Sequence, residues 1–448
     1  MKIPFKSKAT VRHTLDRMNV NFLFIPGVMA LVGLLLAWSM YWLDGQIPNE
    51  ALYMNRFIVS GTVSELRGFL FGMATTVLTT AGVVFTLLTL PLSTVATQYG
   101  SRLLRIFLAD HTTQFVLGMF VATFVYCVTG ALIIPPVIIQ LEGPQVTTTV
   151  GLYFLVASFA SLILLIQHIS IMLQAPNIAA AAGDDLMDTV SKTYVAEPSG
   201  NTNQNQIGRN LPDSLIEAEA YPVHARKSGY IQYVDMDSIL PLAKKGDIII
   251  RVKLKPGDFV RSGNVLALVW PAYRIDEEFA GEIANTFHLG NQRTPTQDVE
   301  YAVNQLTEMA VRAMSPAIND PFTAMTCLDH LGTGLVLFSR RGAISPYIYD
   351  REGQLRLVFD PVTFDKLLGA AFDMLRHASC DNAPVLLHML EIIDVIGQDT
   401  KSPDARQSLL RHVNLIQVES RAGSLTEEDR QTIKRNAETL HLKLKTPS

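Results

Sequence analysis

The chain has 448 residues, a formal net charge of −4, 48% hydrophobic residues and only 17% charged ones, where an ordinary soluble domain carries about 25% charged residues. So small a net charge excludes a bulk electrostatic case for nucleic-acid binding. Three cysteines, Cys127, Cys327 and Cys380, give neither a disulfide framework nor metal-ligand spacing and read as free thiols.

The average hides two halves. Charged residues nearly vanish from 19 to 174 and return to ordinary density after Asp184. Four segments in the first half, 22–43, 69–97, 115–139 and 150–173, each reach the roughly 20 apolar residues that a membrane span needs. The basic N-terminus precedes an apolar run too long for a signal peptide, so the first segment reads as a retained span. Lys2, Lys6, Lys8, Arg12 and Arg17 precede the first span, and Arg102 and Arg105 follow the second; only Arg56 and Arg67 lie in the first connection. This asymmetry predicts both termini on the cytoplasmic side.

The second span carries a stripe of small and hydroxyl residues. Thr75, Thr79, Gly82, Thr86, Thr89, Ser93 and Thr97 recur at steps of three and four, within an arc of about 80° on one helix face. Phe71, Leu78, Phe85, Leu88 and Leu92 are expected on the opposite side. Such a stripe has two readings: close packing against another helix, or the lining of a water-filled path where symmetric subunits meet. Thr62-Val-Ser-Glu65 reads as a capping box opening this helix, and Pro91 as a kink inside it. Leu103, Leu104, Phe107 and Leu108, interleaved with Arg102 and Arg105, read as a short interfacial helix, with Asp110 capping the third span. No charged residue sits mid-span, so an ion-coupled transporter lacks its carboxylate. Gln167 and His168 read as interfacial.

Residues 176–195 read as a helical connector and 197–210 as a polar, flexible linker. From 217 to 271 the pattern turns to period two, with strands over 228–235, 247–254 and 264–270 and a short helix over 237–244. This glycine-punctuated stretch resembles biotinyl/lipoyl-like domains, but it offers no Met-Lys-Met hairpin for attaching a cofactor. The rest is mainly helical. Thr294-Pro-Thr-Gln297 reads as a capping box. Asp320-Pro321, Asp360-Pro361, Ser402-Pro403 and Thr426-Glu-Glu-Asp429 read as further helix starts. Residues 347–357 read as a β-hairpin turning at Asp350–Gly353.

The expected fold class is therefore an α-helical transmembrane bundle of four spans followed by an α+β soluble domain. That domain holds a small β-barrel or barrel-sandwich-like module and a helical region. The expected divisions are 1–175 for the membrane domain, 176–213 for the connector and linker, 214–290 for the β-rich module and 291–448 for the helical domain with its hairpin.

No phosphate loop, dinucleotide fingerprint, zinc-protease helix, nucleophile elbow or Cys-x-x-Cys occurs. No catalytic, cofactor or metal residues are assigned, and His377 and Cys380 are separated from His388 by a helix break at Pro384. The segment Ser315-Pro-Ala-Ile-Asn-Asp-Pro321 is the sharpest local feature. Its two prolines impose a rigid turn, and Ser315, Asn319 and Asp320 are the candidate ligand residues there.

The sequence resembles a large bacterial family of predicted inner-membrane proteins catalogued only as a domain of unknown function. The residues carrying the likeness are Gly82-Val-Val-Phe85, residues 101–110 and 117–126, Pro256-Gly-Asp-Phe-Val260, Arg293-Thr294 with Gln297-Asp298, and Ser315-Pro-Ala-Ile-Asn-Asp-Pro321. The resemblance implies a bacterial inner-membrane location and no particular activity. Two functions follow as expectations. One is a homo-oligomeric channel lined by the second span, with a cytoplasmic assembly or gating domain. The other is a membrane-anchored binding, sensing or scaffolding protein that does not conduct. Expected partners are the lipid bilayer and further copies of the chain, with no nucleic acid; an enzyme is least supported.

Overall fold

The computed structural model describes residues 23–47, 58–98, 110–135, 143–194, 219–341 and 345–445. The basic N-terminal segment, the interfacial helix expected around Leu103–Leu108 and the linker at 197–210 lie outside the described residues. The chain divides into two compact units, one within Arg12–Asn177 and one within Ile178–Ser448.

The first unit holds four helices long and apolar enough to cross a membrane. They are α1 (Phe24–Asp44), α2 (Val63–Gln98), α3 (His111–Ile133) and α4 (Gln145–Met172). Their starts follow local chemistry. The Thr62 amide donates to the Glu65 carboxylate at 2.8 Å, and the Glu65 amide to the Thr62 hydroxyl at 3.4 Å, closing the capping box that opens α2. Asp110 caps α3 by accepting from the Thr113 amide at 2.7 Å.

α3 packs against each of the other three helices. Two apolar clusters fill the interior: Ala37, Leu70, Met73, Tyr126 and Cys127 toward one end, and Val77, Val84, Val116, Phe120 and Leu165 toward the other. Among the described residues, apolar side chains therefore pack between the helices toward both ends. Glycine sets the α1–α3 distance. A Cβ on Gly33 would lie 2.5 Å from the Ala122 carbonyl oxygen, and one on Gly118 would lie 3.3 Å from the Pro26 Cα.

The second unit opens with α5 (Ala175–Thr193), the expected connector. The β-rich part follows as β1 (Tyr221–His224), β2 (Gly229–Val234), α6 (Met236–Lys245), β3 (Ile249–Val252), β4 (Phe259–Val260), β5 (Val265–Trp270), α7 (Glu277–Ala284) and β6 (Phe287–Gly290). A hairpin, β7 (Tyr347–Tyr349) and β8 (Leu355–Val358), turns where the sequence places it: the Gly353 amide donates to the Asp350 carbonyl at 3.0 Å.

These strands do not close a barrel among the described residues. They form two open sheets, ordered β1-β5-β3-β8-β7 and β4-β2-β6. The larger sheet grows by recruiting the distant hairpin, β8 pairing parallel to β3 through Ile250↔Leu357 and Arg251↔Val358. Ile231, Val234, Ile239, Ile250, Leu266 and Val269 form the buried core between the sheets and α6.

Six helices complete the unit: α8 (Val299–Ala313), α9 (Pro321–Arg341), α10 (Phe364–Ala378), α11 (Ala383–Asp399), α12 (Pro403–Ala422) and α13 (Glu427–Lys445). They stack in two rows. α8, α10 and α12 pack in succession, and so do α9, α11 and α13. This is the nearest-neighbour arrangement of stacked helix pairs.

Two expected helix starts are corrected. Thr294-Pro-Thr-Gln297 is not a capping box, because α8 begins at Val299 with Asp298 as its cap. Gln297 instead pairs with the Val234 backbone, accepting from its amide at 3.0 Å and donating to its carbonyl at 3.2 Å. α10 begins at Phe364 with Thr363 as cap, three residues beyond Pro361. Asp320, Ser402 and Thr426 do serve as caps, the Thr323, Ala405 and Asp429 amides donating to them at 3.0, 3.4 and 3.2 Å.

Candidate functional site

The stripe of α2 points away from its own bundle. Thr75, Thr79, Gly82, Thr86, Thr89, Ser93 and Thr97 are all exposed on the isolated chain. Leu66, Leu70, Met73, Ala74, Val77 and Val84, on the other side of the helix, are 3% exposed or less. A Cβ on Gly82 would meet nothing within 4 Å. The close-packing role is therefore taken by Gly33 and Gly118, and among the described residues the stripe faces no helix of its own bundle.

One expectation about the flanks needs correcting. Phe71, Leu78 and Phe85 are not opposite the stripe; they are 39%, 58% and 50% exposed and border it. At 100° per residue Phe71 falls on the stripe's edge, level with Thr89, and Leu78 and Phe85 just beyond it, whereas half-buried Leu88 and Leu92 lie nearer the bundle. The threonine hydroxyls bond back along the helix. Thr75 donates to the Phe71 carbonyl at 2.9 Å, Thr79 to Thr75 at 2.9 Å, Thr86 to Gly82 at 3.1 Å and Thr89 to Thr86 at 2.9 Å. Each donor is thereby satisfied while an oxygen lone pair stays available on the outer face.

Polar groups also tie the bundle ends. At one end the Asp44 carboxylate, closing α1, accepts from the Val146 amide at 2.7 Å and from the Thr147 amide and hydroxyl at 2.8 and 2.5 Å. A residue of one helix thus caps another. The Tyr126 hydroxyl donates to the Thr147 carbonyl at 2.9 Å, and the buried Gln145 side chain beside it has no partner among the described residues. At the other end the His168 ring lies 3.1 Å from the Asp110 carboxylate. Midway, the buried hydroxyls of Thr123 and Ser158 bond each other at 2.8 Å.

In the second unit, two separated segments that carry the family likeness meet. Gly257 has φ +96°, and a Cβ there would lie 2.2 Å from Asp298 Oδ2. Asp298 is held by Arg293 through paired bonds of 2.7 and 2.9 Å and caps α8 through the Tyr301 amide at 2.9 Å. The Gly257 amide donates to the Ile231 carbonyl at 2.8 Å. Pro256–Val260 and Arg293–Asp298 are therefore halves of one structural joint between the β-rich part and the helix stack. Beside it, burial followed by the nearby Lys366 amine pushes the Lys255 amine below its ordinary range, while Lys366 bonds Glu300 at 2.8 Å.

The turn of Ser315, Asn319 and Asp320 joins α8 to α9. The Ile318 and Asn319 amides donate to the Ser315 carbonyl at 3.0 and 2.9 Å, and the Asp320 amide to the Ala313 carbonyl at 2.8 Å. Asn319 takes φ +47°. The Asp320 carboxylate accepts from the Thr323 amide and hydroxyl at 3.0 and 2.5 Å. The Ile318, Asn319 and Asp320 amides and the Asp320 carboxylate are engaged with neighbouring groups, Asn319 is exposed, and Ile318 and Phe322 beside them are 45% and 77% exposed.

His377 and His388 are drawn in different directions. His377 bonds Glu419 on α12 at 2.7 Å, and His388 bonds Asp329 on α9 at 2.8 Å and Glu391 at 2.9 Å. Among the described residues no group of three His, Cys, Asp or Glu is placed to hold a metal ion. The sequence reading missed the Asp44 cap and the α1–α3 wedge. The signal for the wedge was Gly33-x-x-x-Ala37, a small-x-x-x-small pair on the only face α1 buries.

Among known proteins, the chain is 28% identical over 385 residues to uncharacterized protein Rv1290c of Mycobacterium tuberculosis, a match covering 84% of this chain and 72% of that one. Uncharacterized protein Mb1321c of Mycobacterium bovis matches with the same identity and coverage. No solved structure matches. Four apolar spans, the joint at Gly257 and the turn at 315–321 all lie within residues 19–394, which match the family model described as predicted membrane protein (DUF2254), and the chain belongs to that family.

Proposed function

We propose that the chain is a homo-oligomeric channel of a bacterial inner membrane, with copies of α2 lining the path and the second unit serving assembly or gating. The observation that carries this reading is the direction of the stripe. Seven small or hydroxyl positions lie on the outward side of a spanning helix whose buried positions, among the described residues, are all apolar. The unit's own interior is filled by side chains, so a path belongs between copies rather than within one. Hydroxyl oxygens left accepting along such a face suit hydrated ions or small polar solutes. The Lys and Arg asymmetry supports both termini lying on the cytoplasmic side. The proposed activity involves no catalysis and no cofactor.

The test is electrical. Purified chain in planar bilayers is expected to conduct, and Thr86→Trp or Ser93→Trp to change the unitary conductance. Cysteines placed at Thr86 are expected to cross-link between copies. Silence under tension, voltage and varied ions would overturn the reading. A second reading, a membrane-anchored binding or scaffolding protein, draws on the stacked helix pairs of the second unit, an architecture suited to holding extended partners. It expects Thr86→Trp to leave partner capture intact.

A further inference from the structure

We infer that a basic cavity at one end of the helix stack binds a small soluble phosphate ester, of the class of glycerol, sugar and nucleoside phosphates. The site lies wholly within the second unit and stands whether or not the chain conducts.

The cavity has a volume of about 650 Å³ and lies between the end of α11, the first turns of α12 and the last turn of α13. That is the size class of small-molecule sites, roughly 300–1,000 Å³. Its charged lining is all of one sign: Lys401, Arg406 and Lys445. Among the described residues no carboxylate lines it. Asp399 beside it is held by Arg340 at 3.0 and 3.1 Å, and Asp404 is outside the lining. Lys401 and Lys445 are exposed, and among the described residues their ammonium groups form no hydrogen bond or ion pair. Arg406 is half-buried and set in place: its Nε donates to the Thr400 carbonyl at 2.9 Å. Thr400 is itself buried, its hydroxyl donating to the Ile396 carbonyl at 2.7 Å and meeting the Ser339 hydroxyl at 2.9 Å. Helix ends of both signs meet here, α12 by its N-terminus and α11 and α13 by their C-termini, so the electrostatic bias rests on the side chains.

Three cations around one cavity, with no carboxylate among them, favour a multiply charged anion. A phosphate monoester carries about −1.5 to −2 near neutral pH, and a planar guanidinium matches its oxygens in pairs. A lone carboxylate would offer a single charge to three cations. The rest of the lining describes the body of the ligand. The carboxamides of Gln398 and Gln407 supply donors and acceptors for hydroxyls or a base edge, beside an apolar surface of Pro403, Leu410 and Leu444. Three apolar residues give acyl chains no seat, so the choice falls on a soluble ester rather than a phospholipid.

The test is calorimetric. The full chain in nanodiscs of neutral phosphatidylcholine is titrated at low salt with glycerol phosphate and with adenosine monophosphate, and with glycerol and adenosine as uncharged controls. Saturable heat is expected from either ester and none from the controls. Arg406→Gln is expected to weaken binding about 10–100-fold, the value of a hydrogen bond to a charged group. That exchange also removes the bond to the Thr400 carbonyl, so a second variant combines Lys401→Gln with Lys445→Gln at two exposed positions. It is expected to weaken binding several-fold and to leave the thermal midpoint unchanged. Silence with both esters would overturn the inference, and so would adenosine binding as well as its monophosphate. Binding that the double variant leaves unchanged would place the site elsewhere and overturn it. Loss of ester binding on adding phosphatidylglycerol to the nanodiscs would overturn it too, because a lipid headgroup is then the occupant. The same holds for binding that appears only after residues 446–448 are removed, because the chain's own end is then the occupant.

Discussion

Replacing Gly33 and Gly82 by alanine, one at a time, separates the packing face of the bundle from its outward stripe. Both positions are helix-interior glycines, so each exchange gains a similar helix propensity of about 1 kcal/mol. The difference between the two variants therefore reports contacts alone. At Gly33 the added methyl would lie 2.5 Å from the Ala122 carbonyl oxygen and 3.2 Å from its carbonyl carbon and Cα, where ordinary contact starts at 3.4 Å. α1 must retreat from α3 by 3.4 − 2.5 = 0.9 Å, loosening the contacts of Ala37 with its neighbours Tyr126 and Cys127 in the cluster. Overpacking of that kind costs about 1–3 kcal/mol. At Gly82 the methyl meets nothing within 4 Å. Gly33→Ala is thus expected to be less stable than Gly82→Ala by about 1–3 kcal/mol. The measurement is unfolding in mixed detergent micelles, followed by circular dichroism, under conditions where the chain is monomeric. Equal stabilities, or a greater loss at Gly82, would refute the assignment of the stripe to the outer face.

Burial pushes the His412 imidazole down to about 4, Asp373 opposing and Arg411 reinforcing the shift, so the folded state holds the ring neutral. Its contribution is present above the unfolded value near 6.5 and is lost as pH falls toward 4, by about 3 kcal/mol for 2.5 units. Denaturant titrations between pH 7 and pH 4 should show that slope in the native chain and a flatter one in His412→Gln; identical slopes would exclude the assignment. Asp44→Ala removes the cap on α4 and should lower bundle stability by about 1–2 kcal/mol, read as a lowered midpoint in detergent unfolding; an unchanged midpoint would mean the cap contributes nothing. Gly257→Ala places a Cβ at φ +96°, 2.2 Å from Asp298 Oδ2. It should cost about 2–4 kcal/mol and speed proteolysis of the second unit, whereas Gly263→Ala, with open space at φ +86°, should cost only the backbone strain.

The spans were legible because length and the absence of charge identify them without any knowledge of neighbours. Capping at Thr62, Asp110, Asp320 and Ser402 was legible for the same reason, since each cap is settled within four residues. What periodicity could not supply was partnership across the chain. Nothing near Tyr347–Val358 announces that β8 will pair with β3 some hundred residues earlier, so a barrel was expected where two open sheets stand. Thr294 and Gln297 fit the local capping motif, yet Asp298 gains both the Arg293 guanidinium and the Tyr301 amide, and the cap moves four residues on, from Thr294 to Asp298. The stripe itself was visible in the sequence. Its direction was not, because a helix wheel shows that two faces differ without saying which one meets the protein.

The last described helix of the stack is α13. Its buried edge, Ile433, Ala437, Leu440 and Leu444, is consumed by the preceding pair. The reverse side presents Glu427, Glu428, Gln431, Lys434, Arg435 and Glu438 to solvent. A further helix laid against those residues would strand charges in a dry seam. That side of α13 is thereby fitted to water rather than to the packed interior of another helix pair.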